Sequence, residues 1–166
     1  MAQNRTIISC GIYLFRSDNK LLVGHPTGFK PNVWAIPKGR MALDEDNHFN
    51  VAKRELIEET GIDINNYQVI KFEELPMVRY KETNKYLKGF FIKVNSDFSD
   101  ITLKCDSMVY RNGLPSFPEF DDFKWVTIEE SMTMLHDFQI NNLYKCIELT
   151  NERIMIHLES FKMYEK

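Results

Sequence analysis

The stretch Lys53–Ile62, KRELIEETGI, places three glutamates, Glu55, Glu58 and Glu59, three and four residues apart. On an α-helix these spacings bring side chains onto one face, where like charges repel. Gly61 is the residue type that ends a helix in the left-handed conformation, so the carboxylates fall in the last turn. There the helix dipole disfavours negative charge. Each penalty is only a few tenths to about 1 kcal/mol on an exposed surface, yet both fall on the same side chains. The stretch therefore predicts a positive charge nearby. At about 100° per residue, the three glutamates span an arc of roughly 100°. That arc borders an apolar stripe of Phe49, Ala52 and Leu56. Glu59 sits at its inner edge, where shielding from water strengthens repulsion. Hard dications take oxygen ligands, and Mg²⁺ keeps several waters and binds substrate phosphates besides. Arg54 is the neighbour able to hold one carboxylate in a bidentate pair. A solvated face of Lys, Arg and Glu has the same composition, so the surrounding chain has to decide.

Working outward, RTIISCGIYLFR and NKLLVG read as strands from their β-branched and aromatic content. HPTGFKPN reads as a loop by its prolines and glycine. VWAIPKG is held extended ahead of Pro37. Asp46 or Asn47 caps the acidic helix, which runs to about Thr60. YQVIKFEEL and YLKGFFIKV are further strands. DITLKCDSMVY adds a possible strand, RNGLPSFP is loop, and DFKWV is a short strand before a helix opening near Thr127. From about Gln139 to Tyr164, Ile140, Leu143, Ile147, Ile154, Leu158 and Phe161 fall on one face of a long amphipathic helix. Its apolar face fits intrachain packing or a dimer interface. Strands and helices mix without regular βαβ alternation, which predicts an α+β fold with a mixed sheet.

From Gly39 the chain reads G, RMALDED, NHFNVAK, RELIEETGI. This resembles the Nudix box: Gly, five residues, Glu, seven residues, then Arg-Glu-apolar-any-Glu-Glu-any-Gly-apolar. Arg54 to Ile62 match the second half throughout, and WAIPKG looks like the family's lead-in. The first half departs. Counting back seven residues from Arg54 reaches Asp46, and Gly39 then lies one residue too far away. Either Asp46 serves after an insertion, or Glu45 serves with a longer spacer. The resemblance covers the order of elements from about residue 5 to residue 136.

The resemblance, to a MutT-like Nudix hydrolase, implies a mixed β-sheet flanked by helices in an α/β/α sandwich, with a long C-terminal helix. It implies a pyrophosphohydrolase using Mg²⁺, or Mn²⁺, on a nucleoside diphosphate linked to another group. By resemblance Glu55, Glu58 and Glu59 are metal ligands or base, and the main chain at Lys38–Gly39 adds a ligand. Arg54 orients a glutamate, and Thr60 is structural. The family often draws one more acid from a later loop. Glu119, Asp121 and Asp122 are candidates, and Glu119 precedes Trp125 by six residues as in the dinucleoside polyphosphate hydrolases. Glu119 is therefore the expected loop acid. Cations and aromatics in MVRYKETNKY suit phosphate and base binding, which nominates Arg79, Tyr80 and Lys81, with the Lys38 side chain. His25 reads as a packing or surface residue, and Trp34 and Trp125 as core.

The implied substrate is a dinucleoside or nucleoside polyphosphate. ADP-ribose, RNA 5′ ends and inositol pyrophosphates are the alternatives, and a non-catalytic nucleotide-binding module on the same fold is the rival class. The whole chain of 166 residues is long enough for one domain with its own core, its C-terminal helices covering about 127–164. Hydrophobic residues make up 43% and charged residues 27%. A net charge of −3 argues against non-specific nucleic-acid binding as the main task. The N-terminus lacks a signal-peptide apolar core, and no apolar run is long enough for a membrane. Cys10, Cys105 and Cys146 show neither zinc nor disulfide spacing. A cytoplasmic protein, monomer or homodimer, follows as the expectation.

Overall fold

The structure is a computed structural model and describes residues 5–150. Nine strands and four helices follow in the order β1 (Ile7–Phe15), β2 (Leu21–Pro26), β3 (Lys38–Arg40), α1 (His48–Thr60), β4 (Val69–Glu74), β5 (Val78–Arg79), β6 (Lys85–Val94), β7 (Met108–Val109), β8 (Phe117–Pro118), β9 (Phe120–Val126), α2 (Ile128–Ser131), α3 (Asp137–Ile140) and α4 (Leu143–Thr150). A short 3₁₀ turn, Ile64–Asn66, follows α1. The main sheet runs β4-β6-β1-β2-β9, with β3 on β1 and β5 on β6. β1 and β6 pair in parallel from Ile7↔Lys85 to Phe15↔Lys93, and the other pairings are antiparallel. The sheet is therefore mixed.

Side chains alternate across a strand, and β1 is buried on both faces. Cys10, Ile12 and Leu14 join Leu22, Phe90 and Ile92 against Val51, Ala52 and Leu56 of α1. Tyr13 and Phe15 join Leu21, Val23 and Phe91 against Trp34, Leu135, Leu143 and Cys146. The sheet thus lies between α1 on one side and α2–α4 on the other, the expected α/β/α sandwich. Burying Leu56 completely contributes on the order of 1.5–3 kcal/mol.

Helix α1 starts at Asn47, whose side chain accepts the Asn50 N–H at 2.9 Å. It ends at Gly61, with φ of 82°, whose N–H donates to Ile57 O at 2.8 Å. The Thr60 hydroxyl bonds back to Leu56 O, a structural use, as anticipated. The carbonyls of the last turn find partners in a distant segment. Asp106 N and Ser107 N both donate to Glu58 O, and Lys104 N donates to Thr60 O. That demand keeps 101–107 out of the sheet, so only Met108–Val109 of the possible strand forms, pairing with β8 as a small hairpin.

Within the segment expected as a long helix, the described part comprises α3 and α4 with a junction at Asn141–Asn142. Leu143 is buried, while Ile140 and Ile147 are half-buried. Ile154, Leu158 and Phe161 lie outside the described residues. Among the described residues no helix is long and apolar enough to cross a membrane. The three cysteines are buried free thiols.

Candidate active site

Strand β3 and helix α1 bring the acids together. Gly39 sits opposite Cys10 in the β1–β3 pairing, and its missing side chain is filled by Glu55. A Cβ at Gly39 would lie 2.0 Å from the Glu55 carboxyl carbon and 2.2 Å from each oxygen. On the neighbouring residue, Lys38 N donates to Glu59 Oε2 at 3.0 Å. The end of β3 is thus threaded between two glutamates of one helix face.

The positive charge demanded by the sequence is Arg54. Its Nη1 donates to Glu55 Oε1 at 2.9 Å and to both Glu58 oxygens at 3.1 Å. Its Nη2 and Nε donate to the two oxygens of Glu45 at 3.0 and 3.2 Å. The early acid of the box is therefore Glu45, and Asp46 is an exposed residue before the cap. The extra residue falls between Glu45 and Arg54, where the loop meets the helix. Glu45 also accepts the Ala42 N–H at 3.0 Å. That bond and the guanidinium hold its carboxyl below the ordinary range.

Glu119 arrives from the other side, just before β9. Its N–H donates to Ser107 O at 2.8 Å and its carbonyl accepts the Thr27 N–H at 2.9 Å. Its carboxyl hydrogen-bonds that of Glu59, which is 2% exposed. Burial, then Glu119, then the charge on Glu55 push the Glu59 pKa well up. Glu55 is pushed to about 7, chiefly by burial and opposed by Arg54. Glu58 stands at the solvent edge of the group.

These groups line a cleft of about 730 Å³. Lys38, Arg40, Lys85 and Arg111 supply cations along it, while Phe29, Trp34 and Phe117 supply rings. Phe29 is 61% exposed at the rim. Tyr80 also lines the cleft; it stacks on Phe138 at 3.8 Å. Arg79 and Lys81 do not line it and belong to an adjoining groove. Tyr80 lies just past the end of β5 and lines both concavities, whereas Arg79 and Lys81 on either side line only the groove. Asp121 pairs with His25 Nδ1 at 2.6 Å, and His25 Nε2 contacts Lys30 O at 3.0 Å. His25 is thus a loop brace, as its packing reading anticipated. Trp34 is buried as expected, yet also contributes to the cleft. Trp125 stacks on Phe98 at 4.9 Å.

Arg40, Arg111, His136 and Gln139 escaped sequence reasoning. They come from separate segments and carry no local spacing signal. Gln139 has a tethering role: its carbonyl accepts the Tyr13 hydroxyl at 2.6 Å and its Oε1 accepts Ile36 N at 3.0 Å.

The donor set suits a hard dication, with oxygen ligands from Glu55, Glu58, Glu59 and Glu119 around one cleft. Among the described residues no three His, Cys, Asp or Glu side chains are grouped so as to hold a metal ion as they stand. The carboxylates instead converge on Arg54 and on each other, and burial of like charges is what a dication would relieve.

The NUDIX domain model matches residues 5–146. This chain belongs to the NUDIX family. The NUDIX chain is 27% identical over 150 residues to an RNA pyrophosphohydrolase of Pelagibacter ubique, covering 83% of this chain and 86% of that one. It is 30% identical over 122 residues to an uncharacterized 17.7 kDa protein of Enterobacteria phage T4, covering 70% and 79%. Among solved structures, a C. elegans Ap4A hydrolase superposes with a TM-score of 0.62 at 20% identity, covering 85% of this chain and 96% of that one. That likeness shows the NUDIX fold. The protein is an enzyme of the pyrophosphohydrolase class.

Proposed function

We propose that this protein is a Mg²⁺-dependent pyrophosphohydrolase acting on the triphosphorylated 5′ end of RNA, the whole chain serving as a single NUDIX domain. The observation that carries the chemistry is the placement of Glu55, Glu58, Glu59 and Glu119 on the floor of a cleft with cations along its walls. The substrate class is supported by the likeness to RNA pyrophosphohydrolases over most of both chains.

Glu55, Glu58, Glu59 and Glu119 would hold the ion, with the main chain at Lys38–Gly39 beside them. When bound, Mg²⁺ supplies charge neutralisation at the phosphates and a water of lowered pKa. Arg54 keeps Glu55 and Glu58 in place, a role for which a guanidinium fork is suited. Lys38, Arg40, Lys85 and Arg111 bind and orient phosphate oxygens, since a pyrophosphate repels an approaching anionic nucleophile. A water attacks phosphorus, its proton passes to a carboxylate of the set, and the anhydride P–O bond breaks with its electron pair leaving on the phosphate oxygen. Dinucleoside polyphosphates are the second reading, favoured by the six-residue step from Glu119 to Trp125 together with the position of Glu119 in the cleft.

The test is hydrolysis with Mg²⁺ of triphosphorylated RNA, dinucleoside tetraphosphate, nucleoside triphosphates, ADP-ribose and an inositol pyrophosphate, resolved by ion exchange. Triphosphorylated RNA should be turned over best, and Glu58→Gln should remove at least 100-fold of the rate, in line with the loss of a metal-binding or proton-accepting group. No turnover of any substrate by wild type would replace the enzyme reading with a binding module.

A further inference from the structure

Arg79 and Lys81, turned away from the catalytic cleft, share a second groove of about 550 Å³. The β5–β6 turn forms one wall, and α3 with the first turn of α4 forms the other. Tyr80 and His136 line both concavities, so the groove continues the cleft. Tyr80 is fixed there as a partition by its stack on Phe138. Arg79 Nε donates to Thr83 O at 2.8 Å, which settles the side chain along the turn and uses one of its N–H donors. Lys81 is exposed, and Tyr144 presents a ring that is 57% exposed. Asp137 is the one carboxylate among the lining residues, against two cations.

Cations that follow a backbone, with an exposed ring beside them, are the means by which single strands are bound without sequence preference. A substrate of one nucleotide with its phosphates on the acidic floor has no part left to reach past Tyr80 and His136. A chain continuing from that nucleotide does. The groove is open to solvent, with Arg79, Lys81 and Thr83 making one wall polar for a hydrated phosphodiester backbone and Tyr144 on the other offering a ring to a base.

We propose that this groove carries the RNA chain downstream of its 5′-terminal nucleotide, with Arg79 and Lys81 at backbone phosphates and Tyr144 beneath a base. The proposal rests on triphosphorylated RNA being the substrate. It makes RNA length a determinant of activity, which the catalytic floor alone does not.

The experiment compares wild type with Arg79→Ala/Lys81→Ala and, as a variant touching no internal bond of the turn, Lys81→Glu. Each is assayed on a triphosphorylated five-nucleotide RNA, a nucleoside triphosphate and a dinucleoside tetraphosphate. The expected result is a KM for the RNA raised about tenfold in the double variant, with kcat and all nucleoside triphosphate parameters unchanged. The slope of log KM against log salt should also become shallower by about 1.4, from ~0.7 per lost phosphate contact on a single strand. Equal losses on RNA and nucleoside triphosphate, or none on RNA, would overturn the proposal. A loss confined to dinucleoside tetraphosphate would assign the groove to a distal nucleoside and overturn the RNA track. Binding of the same RNA to Glu58→Gln, with and without the double substitution, separates the two readings. Groove-dependent binding without wild-type hydrolysis sinks the RNA substrate reading. Hydrolysis without groove dependence sinks the groove.

Discussion

Replacing Gly39 by alanine tests the site at its tightest point. The new Cβ would stand 2.0 Å from the Glu55 carboxyl carbon, where ordinary contact begins near 3.4 Å. The carboxyl group must therefore retreat by about 1.4 Å, and a misplacement on the order of 1 Å costs roughly 100-fold in rate. Gly39 is not among the residues with positive φ, so alanine meets no backbone penalty and the effect isolates the side-chain clash. The obstructing atoms are the end of a flexible side chain, so stability should suffer less than catalysis: a fall in Tm of a few degrees, about 1 kcal/mol for a chain of this size. The assay is steady-state hydrolysis of triphosphorylated RNA, with Mg²⁺ titration by calorimetry and Tm by differential scanning fluorimetry. A kcat within threefold of wild type, with unchanged Mg²⁺ affinity, would refute the view that β3 shapes the metal-facing position of Glu55.

Glu45→Gln should lower kcat about tenfold by slackening Arg54, within the range for lost orienting partners of metal ligands, whereas Asp46→Asn should leave it within twofold; parallel kinetics decide. The protein stripped with EDTA should lose stability as pH rises. Glu55 has a folded pKa of about 7 against an unfolded 4.5, so the native state binds more protons between those values and ΔG of unfolding falls across pH 4.5–7. The loss from this group is roughly 3 kcal/mol at most, from 1.36 kcal/mol per pKa unit. Tm against pH should show it, and Glu55→Gln or saturating Mg²⁺ should flatten the slope.

The sandwich and the acidic helix were legible because each rests on a local pattern. β1 carries apolar residues on both faces, and α1 carries its stripe, its cap residues and its left-handed glycine within one short stretch. The early acid was ambiguous for a physical reason: Asp44, Glu45 and Asp46 are consecutive acids in a loop, where no periodicity says which side chain turns inward. Only the reach of the Arg54 fork selects Glu45. Arg79, Tyr80 and Lys81 share one stretch of sequence, but the turn after β5 leaves Arg79 and Lys81 on the second groove while Tyr80 lines both concavities. Arg40, Lys85, Arg111 and His136 meet only through tertiary structure. The irregular course of 101–107 was unreadable because its hydrogen bonds go to α1 rather than to a strand neighbour.

The double acceptance at Glu58 O has a practical consequence. Asp106 and Ser107 give their amide protons to one carbonyl of the acidic helix, and Ser107 in turn receives the amide of Glu119. These amides form a relay between Glu58 and Glu119, more than a third of the chain apart, so nothing in the local sequence protects them. Their hydrogen-exchange rates therefore serve as a built-in gauge of whether the two halves of the acid cluster are assembled, readable by NMR on the resting protein before any substrate is chosen.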